Sequence, residues 1–127
     1  MEEGWDLFEA QIDEGIDLFN RQQFYECHQR IEDIWLQESS DQQPCLQGII
    51  QAAVAFHHYQ HGKLGAARAL LGLALKKLEN HPATFRGLKI QAFRRQIGEW
   101  KNALDRCLSG KSERPLFPYP QIERDPG

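Results

Sequence analysis

Phe24-Tyr25-Glu26-Cys27-His28-Gln29-Arg30-Ile31-Glu32-Asp33-Ile34-Trp35 decides the fold class of this chain. Its apolar residues Phe24, Cys27, Ile31, Ile34 and Trp35 recur every three or four positions, the period of a helix with one buried face. A strand would alternate every second residue, and this stretch does not. The same period appears on both sides. Upstream, Trp5, Phe8, Ile12, Ile16 and Phe19 predict a helix over about 5–19, followed by the turn Asn20-Arg21-Gln22-Gln23. The quoted helix covers about 24–38, and Ser39-Ser40-Asp41-Gln42-Gln43 is a polar loop. Pro44 suits the first turn of a third helix, where its missing N–H has no partner to lose. That helix reaches about Gln60 and ends at His61-Gly62, glycine being favoured just past a helix. A fourth helix covers about 64–79 and stops at Asn80-His81-Pro82; a fifth covers about 88–108. No stretch alternates convincingly as a strand.

The expected fold is therefore all-α, with about five helices in antiparallel hairpins. Residues 1–109 read as a single helical domain and 110–127 as a Pro-rich tail. In that tail Leu116-Phe117-Pro118-Tyr119-Pro120 is expected to lie extended across the bundle. A weak internal repeat supports the hairpins. Phe19-Asn20-Arg21-Gln22-Gln23-Phe24 matches Tyr59-Gln60-His61-Gly62-Lys63-Leu64 at an offset of forty residues. The register continues: Cys27 falls on Ala67, His28 on Arg68, Ile31 on Leu71 and Trp35 on Leu75. Each half reads as helix, short turn, helix, as in tetratricopeptide-like pairs, although the offset exceeds their usual period.

Composition narrows the function classes. A chain of 127 residues is the usual length of one domain. It buries roughly two-thirds of its unfolded surface, enough for a core without staples. Hydrophobic residues are 41% and charged residues 26%, with a net charge of -3. That balance gives no global electrostatic case for nucleic acid or an anionic membrane. Cys27, Cys45 and Cys107 are far apart and odd in number, which fits a reducing compartment. The acidic start Met1-Glu2-Glu3 lacks the basic, apolar pattern of a signal peptide. The longest apolar run, 46–56, is too short to span a bilayer. The expectation is a cytoplasmic protein without membrane contact.

Polar residues inside the apolar pattern mark the candidate site. At about 100° per residue, His28 and Glu32 fall one turn apart between the arc Phe24, Cys27, Ile31, Ile34 and the pair Tyr25, Leu36. They are expected inside the buried face, whereas Glu26 points nearly opposite with Arg30 and Asp33. On the third helix Gln47, Gln51 and His58 form a polar stripe between a large apolar face and the smooth face of Gly48, Ala52 and Ala55. Arg68 lies at the edge of the fourth helix, at the repeat position of His28. His28, Glu32, Trp35, Gln47, Gln51, His58 and Arg68 are thus expected to meet between three helices.

These residues also carry a resemblance. Phe19-Asn20 through Phe24-Tyr25-Glu26-Cys27-His28, then Glu32-x-x-Trp35, Leu46-Gln47-Gly48-Ile49-Ile50-Gln51, His58 and Gly65-Ala66-Ala67-Arg68 resemble the domain of unknown function 309 family. The likeness spans about 19–78. It implies a compact all-α fold in a bacterial or archaeal-type cytosolic protein, and it implies no activity. Cys27 stands where alanine is usual and Gln29 where glutamate is usual, so carboxylates do not flank His28 on both sides.

Three chemistries fit the cluster. A divalent metal on His28, Glu32 and His58, with water completing the sphere, would suit a metal-dependent hydrolase or oxidoreductase. Arg68 opposes this, because a cation near a divalent ion is unfavourable. A buried hydrogen-bond network could join Glu32 to Arg68 or His28 and fix helix register. Alternatively Arg68 and the histidines could receive a peptide, a protein or a small anionic ligand, with Trp35 and Tyr25 as the wall. The leading expectation is a non-enzymatic binding or protein-interaction module without a cofactor, open to self-association; the metal-dependent enzyme is the alternative. His57 reads as a packed histidine, His61 and His81 as solvated turn residues, and Cys27 as a small core residue. Arg86, Lys89, Arg94, Arg95 and Lys101 give the fifth helix a basic, solvated face.

Overall fold

Five helices form where the period places them. The computed structural model describes residues 2–37, 43–80, 83–115 and 118–125, with side chains for all of these except 2–8 and 43. The helices are α1 Glu2–Asn20, α2 Phe24–Gln37, α3 Gln43–Gln60, α4 Leu64–Leu78 and α5 Ile90–Leu108. The side chains of Trp5 and Phe8 lie outside the described residues, as do Glu38, the loop 39–42, His81-Pro82 and Leu116-Phe117.

Each helix packs against the next in sequence. Gly15 lies against Ile31 and Phe19 against Phe24, so α1 and α2 run antiparallel. Gly48 meets Leu78 across α3 and α4; a side chain at position 48 would stand 2.8 Å from the leucine. Ala52 and Ala55, on the expected smooth face, are fully buried. Arg68 pairs with Asp105, while Gln91 reaches the Leu78 carbonyl, so α4 and α5 are also antiparallel.

The turns after α1 and α3 close alike. Gln23 N–H donates to the Leu18 carbonyl and Gln22 N–H to that of Phe19, both at 2.9 Å. Lys63 N–H donates to His58 at 2.9 Å and Gly62 N–H to Tyr59 at 3.0 Å. This bond pair satisfies the last carbonyls of a helix and requires one left-handed residue. Gln22 takes it with φ 67° and Gly62 with φ 75°. Glycine does so freely, glutamine at a cost.

The core runs through all five helices. Phe19 meets Phe24, Phe56 and Phe93 edge-on, with ring centroids 5.0, 6.2 and 5.3 Å away. Ile12, Ile16, Ile31, Ile34, Ile49, Leu71, Ile97 and Leu104 fill in around these rings.

The sequence shows no strand signal, but a small hairpin precedes α5. Strand β1, Thr84–Phe85, pairs antiparallel with β2, Leu88–Lys89, with Phe85 opposite Leu88. Arg86 and Gly87 form the two-residue loop with φ of 51° and 82°. Positive φ at both positions is the type I′ turn, whose twist matches that of paired strands. The fifth helix therefore begins at Ile90 rather than at residue 88.

Residues 118–125 return along the bundle. Tyr119 stacks on Trp100 at 5.3 Å with the rings within 2° of parallel. Trp100 Nε1 donates to the Pro118 carbonyl at 3.1 Å. The Asn20 amide grips Ile122 in both directions: Nδ2 donates to its carbonyl at 3.0 Å, and its N–H donates to Oδ1 at 2.8 Å. Gln96 holds Gln121 in the same way, at 3.1 and 3.0 Å. Lys89 N–H donates to Glu123, and Asp125 N–H to Gly87, tying the segment to the hairpin.

Candidate functional site

Helix α2 brings His28 and Glu32 together as the spacing requires. His28 Nε2 lies 3.3 Å from Glu32 Oε2. The pair is not inside the core, however: the two side chains are 25% and 48% exposed. The cause is the width of the buried arc. Only Phe24, Cys27, Ile31 and Ile34 of α2 are buried. Tyr25 and Leu36, expected to form a second apolar set, are 45% and 68% exposed. The positions between the two sets therefore form a rim facing solvent. Trp35 packs against the core without being enclosed by it.

Helix α3 supplies the opposite wall. Gln47, Gln51, Val54, His57 and His58 are all half-buried. Gln51 Oε1 is enclosed and accepts no hydrogen bond from the described residues. Between α2 and α3 opens a cavity of about 200 Å³, lined by Tyr25, His28, Val54, His57 and His58. Tyr25 bridges the two helices, its ring 5.6 Å from His28 and 5.3 Å from His57. His57 in turn lies 6.0 Å from His58 and 4.4 Å from His61. Burial first, and then neighbouring His61 and His58, push the His57 imidazole below the ordinary histidine range; His28 adds to this and the Glu26 carboxylate opposes it. His57 is therefore neutral near pH 7, able to stack and to accept a hydrogen bond.

The other expected members go elsewhere. Arg68 forms an ion pair with Asp105 of α5, which Lys101 also holds at 3.1 Å. The hydrogen bonds from Lys101 and Arg68 keep the Asp105 carboxyl below its usual range. Arg68 thus serves the α4–α5 contact, although it matches His28 in the forty-residue register. Glu26 lines an open acidic groove of about 610 Å³ with Glu14, Leu18, Gln29, Arg30, Glu32 and Asp33. There Arg30 pairs with Glu14 at 3.1 Å. Among the described residues no three His, Cys, Asp or Glu side chains converge to hold a metal ion, and His28, Glu32 and His58 are not such a group.

Two residues gain a place that the sequence did not assign them. His57 lines the cavity, and the His61 ring lies against it at 4.4 Å, tilted by 52°. The available signal was the His57-x-x-x-His61 spacing, the same one-turn separation as His28 and Glu32. Cys27 and Cys45 are buried, and burial pushes both thiols up to about 12, so neither is favoured as a thiolate, in keeping with small core residues. The basic character before and along α5 is partly neutralised. Arg86 pairs with Glu9, Lys101 with Asp105, and Arg94 donates to the Leu75 carbonyl. Among the described residues no helix is long and apolar enough to cross a membrane.

Fold and site together define a small all-α protein with a histidine-lined cleft between its second and third helices. Residues 12–70 match the model of the family described as Domain of unknown function (DUF309), in line with the resemblance carried by the α1–α4 motifs. The matched span contains His28, Glu32, Trp35, Gln47, Gln51, His57, His58 and Arg68. The chain is also similar to an uncharacterized protein of Aquifex aeolicus (strain VF5), 29% identical over 82 residues. The match covers 64% of this chain and 25% of that protein, so the chain spans about a quarter of its relative's length.

Proposed function

We propose that this chain is a binding module and that the α2–α3 cleft is where it takes its partner. The cavity between Tyr25 and His57 carries this reading. Its floor is apolar, through Val54, and its rim holds imidazoles that can donate or accept. Apolar pockets with a few convergent polar groups are the usual form of a ligand or side-chain anchor site. At about 200 Å³ it suits one aromatic side chain with an attached carboxylate or amide. Exposed Tyr25 and Leu36 on the same helix extend the surface that a peptide could cover. Gln51 lies on the same α3 stripe as Val54 and His58, with its Oε1 enclosed. Arg68 has no part in this site; the cluster is His28, Glu32, Gln51, His57 and His58 with Tyr25. Two helical hairpins, α1–α2 and α3–α4, joined by matching turns, form the scaffold. The three free cysteines accord with a cytosolic setting.

N-acetyl-phenylalanine is a suitable probe, pairing a ring with a carboxylate. About 15 heavy atoms at roughly 0.3 kcal/mol each set its Kd near a millimolar. Titration followed by NMR should give saturable shifts at the Val54 methyls and the His28 and His58 rings, abolished in Val54→Trp, which fills the cavity. Shifts that persist in Val54→Trp, or none up to 20-fold above that Kd, would reject the cavity as the anchor.

A further inference from the structure

We propose that His57 and His61 form a surface site for a late first-row divalent cation such as Zn2+, Ni2+ or Cu2+, held by two imidazoles and otherwise by water. His57 stands in the last turn of α3 and His61 four residues on, in the turn just past its end, where the chain still folds back far enough to bring the two rings side by side. Their ring centroids are 4.4 Å apart. His61 is further prepared by a hydrogen bond between its Nδ1 and the His57 carbonyl at 2.9 Å. A carbonyl oxygen only accepts, so Nδ1 carries the proton and Nε2 presents its lone pair outward. A ring N–H donated to a backbone carbonyl is the usual way in which a metal-ligating histidine is oriented. His61 is exposed, so an ion reaches it directly. Imidazole also suits this group of metals better than it suits magnesium or calcium.

The site differs from the trio expected from the sequence. His28 Nε2 is engaged by Glu32 at 3.3 Å, and no three ligands converge among the described residues. Two protein ligands leave several positions open, so binding is reversible and far weaker than in a closed four-ligand zinc site.

The test is calorimetric titration of the full chain, purified without a histidine tag, with ZnCl2 and separately NiCl2 at pH 7.5. Imidazole NMR signals are recorded in parallel with Zn2+. One ion should bind per chain, with the largest shifts at His57 and His61. His61→Gln and His57→Gln should each lower the association constant at least tenfold. His28→Gln and His58→Gln should leave it within threefold. Absence of saturable binding at tenfold excess metal overturns the proposal. Binding that survives His61→Gln does so too, as does binding abolished by His28→Gln or His58→Gln, which would return the ion to the α2–α3 cleft.

Discussion

Asn20→Ala should unfold this protein far more easily than a polar substitution at a helix end normally does. The Asn20 amide makes two hydrogen bonds to the backbone of Ile122, at 3.0 and 2.8 Å. Ile122 is only 2% exposed, so water has little access to its N–H or carbonyl once the amide is gone. A lost hydrogen bond of this kind costs about 1–1.5 kcal/mol, giving about 2–3 kcal/mol for the pair. Alanine returns up to about 0.5 kcal/mol through its better helix propensity. The net loss is about 2 kcal/mol. With 127 residues at about 2.1 cal/mol/K each, the unfolding entropy is about 0.27 kcal/mol/K, so Tm should fall by about 7 °C.

Gln96→Ala is the matched control. It removes two bonds of the same geometry, at 3.1 and 3.0 Å, but to Gln121, which is exposed. Water replaces them, and the cost should stay below about 1 kcal/mol. Urea unfolding followed by circular dichroism gives both values. If Asn20→Ala costs less than about 0.5 kcal/mol, or no more than Gln96→Ala, then burial at Ile122 does not give the clamp its weight and the reasoning fails.

Two further outcomes follow from the same geometry. Lys101 and Arg68 hold the Asp105 carboxyl below the usual 3.8, so its stabilisation is complete above that pH and is lost as pH falls through the depressed folded value. Asp105→Asn should accordingly lower the urea midpoint at pH 7 and converge with the parent protein toward pH 2.5; a constant difference across that range would refute the assignment. At the matched turns, Gln22→Gly should gain about 0.5–1 kcal/mol and Gly62→Ala should lose about 1 kcal/mol, because both positions have positive φ. Equal signs in thermal melts would show that the two turns do not share one conformational constraint.

The helices were legible because each buries a face wide enough to set a period. Ile12, Ile16 and Phe19, or Ile31 and Ile34, are core residues in both sequence and structure. The hairpin was not legible, since two-residue strands have no period and Arg86-Gly87 lacks the Asn-Gly or Asp-Gly signature of its turn. For the site, spacing within one helix read correctly and placement between helices did not. His28 meets Glu32 as expected, but the pair lies at the rim because Tyr25 and Leu36 face solvent. Arg68 matches His28 in register yet turns to Asp105, since α4 packs against α5 as α2 packs against α3, so equivalent positions face different helices. Neither His57 nor His61 alone carries a signal; it is their separation of four residues that brings the two rings to 4.4 Å.

The C-terminal segment also bears on which surface remains for a partner. Phe24, Phe56, Tyr59 and Trp100 form an aromatic patch contributed by α2, α3 and α5. Tyr119 covers it, flat on Trp100 and edge-on to Phe24, Phe56 and Tyr59 at 5.2, 5.5 and 6.1 Å. Arg114 adds to the cover, lying 4.7 Å from the Tyr59 ring and donating to the Tyr59 carbonyl. A partner seeking aromatic contact there would have to displace Tyr119 and the buried Ile122 with it. Tyr25, by contrast, stands 45% exposed beside the cavity. Among the described residues the chain thus covers the larger aromatic surface itself and leaves Tyr25 beside the cavity exposed, a difference that favours the α2–α3 cleft over the aromatic patch in the proposed binding role.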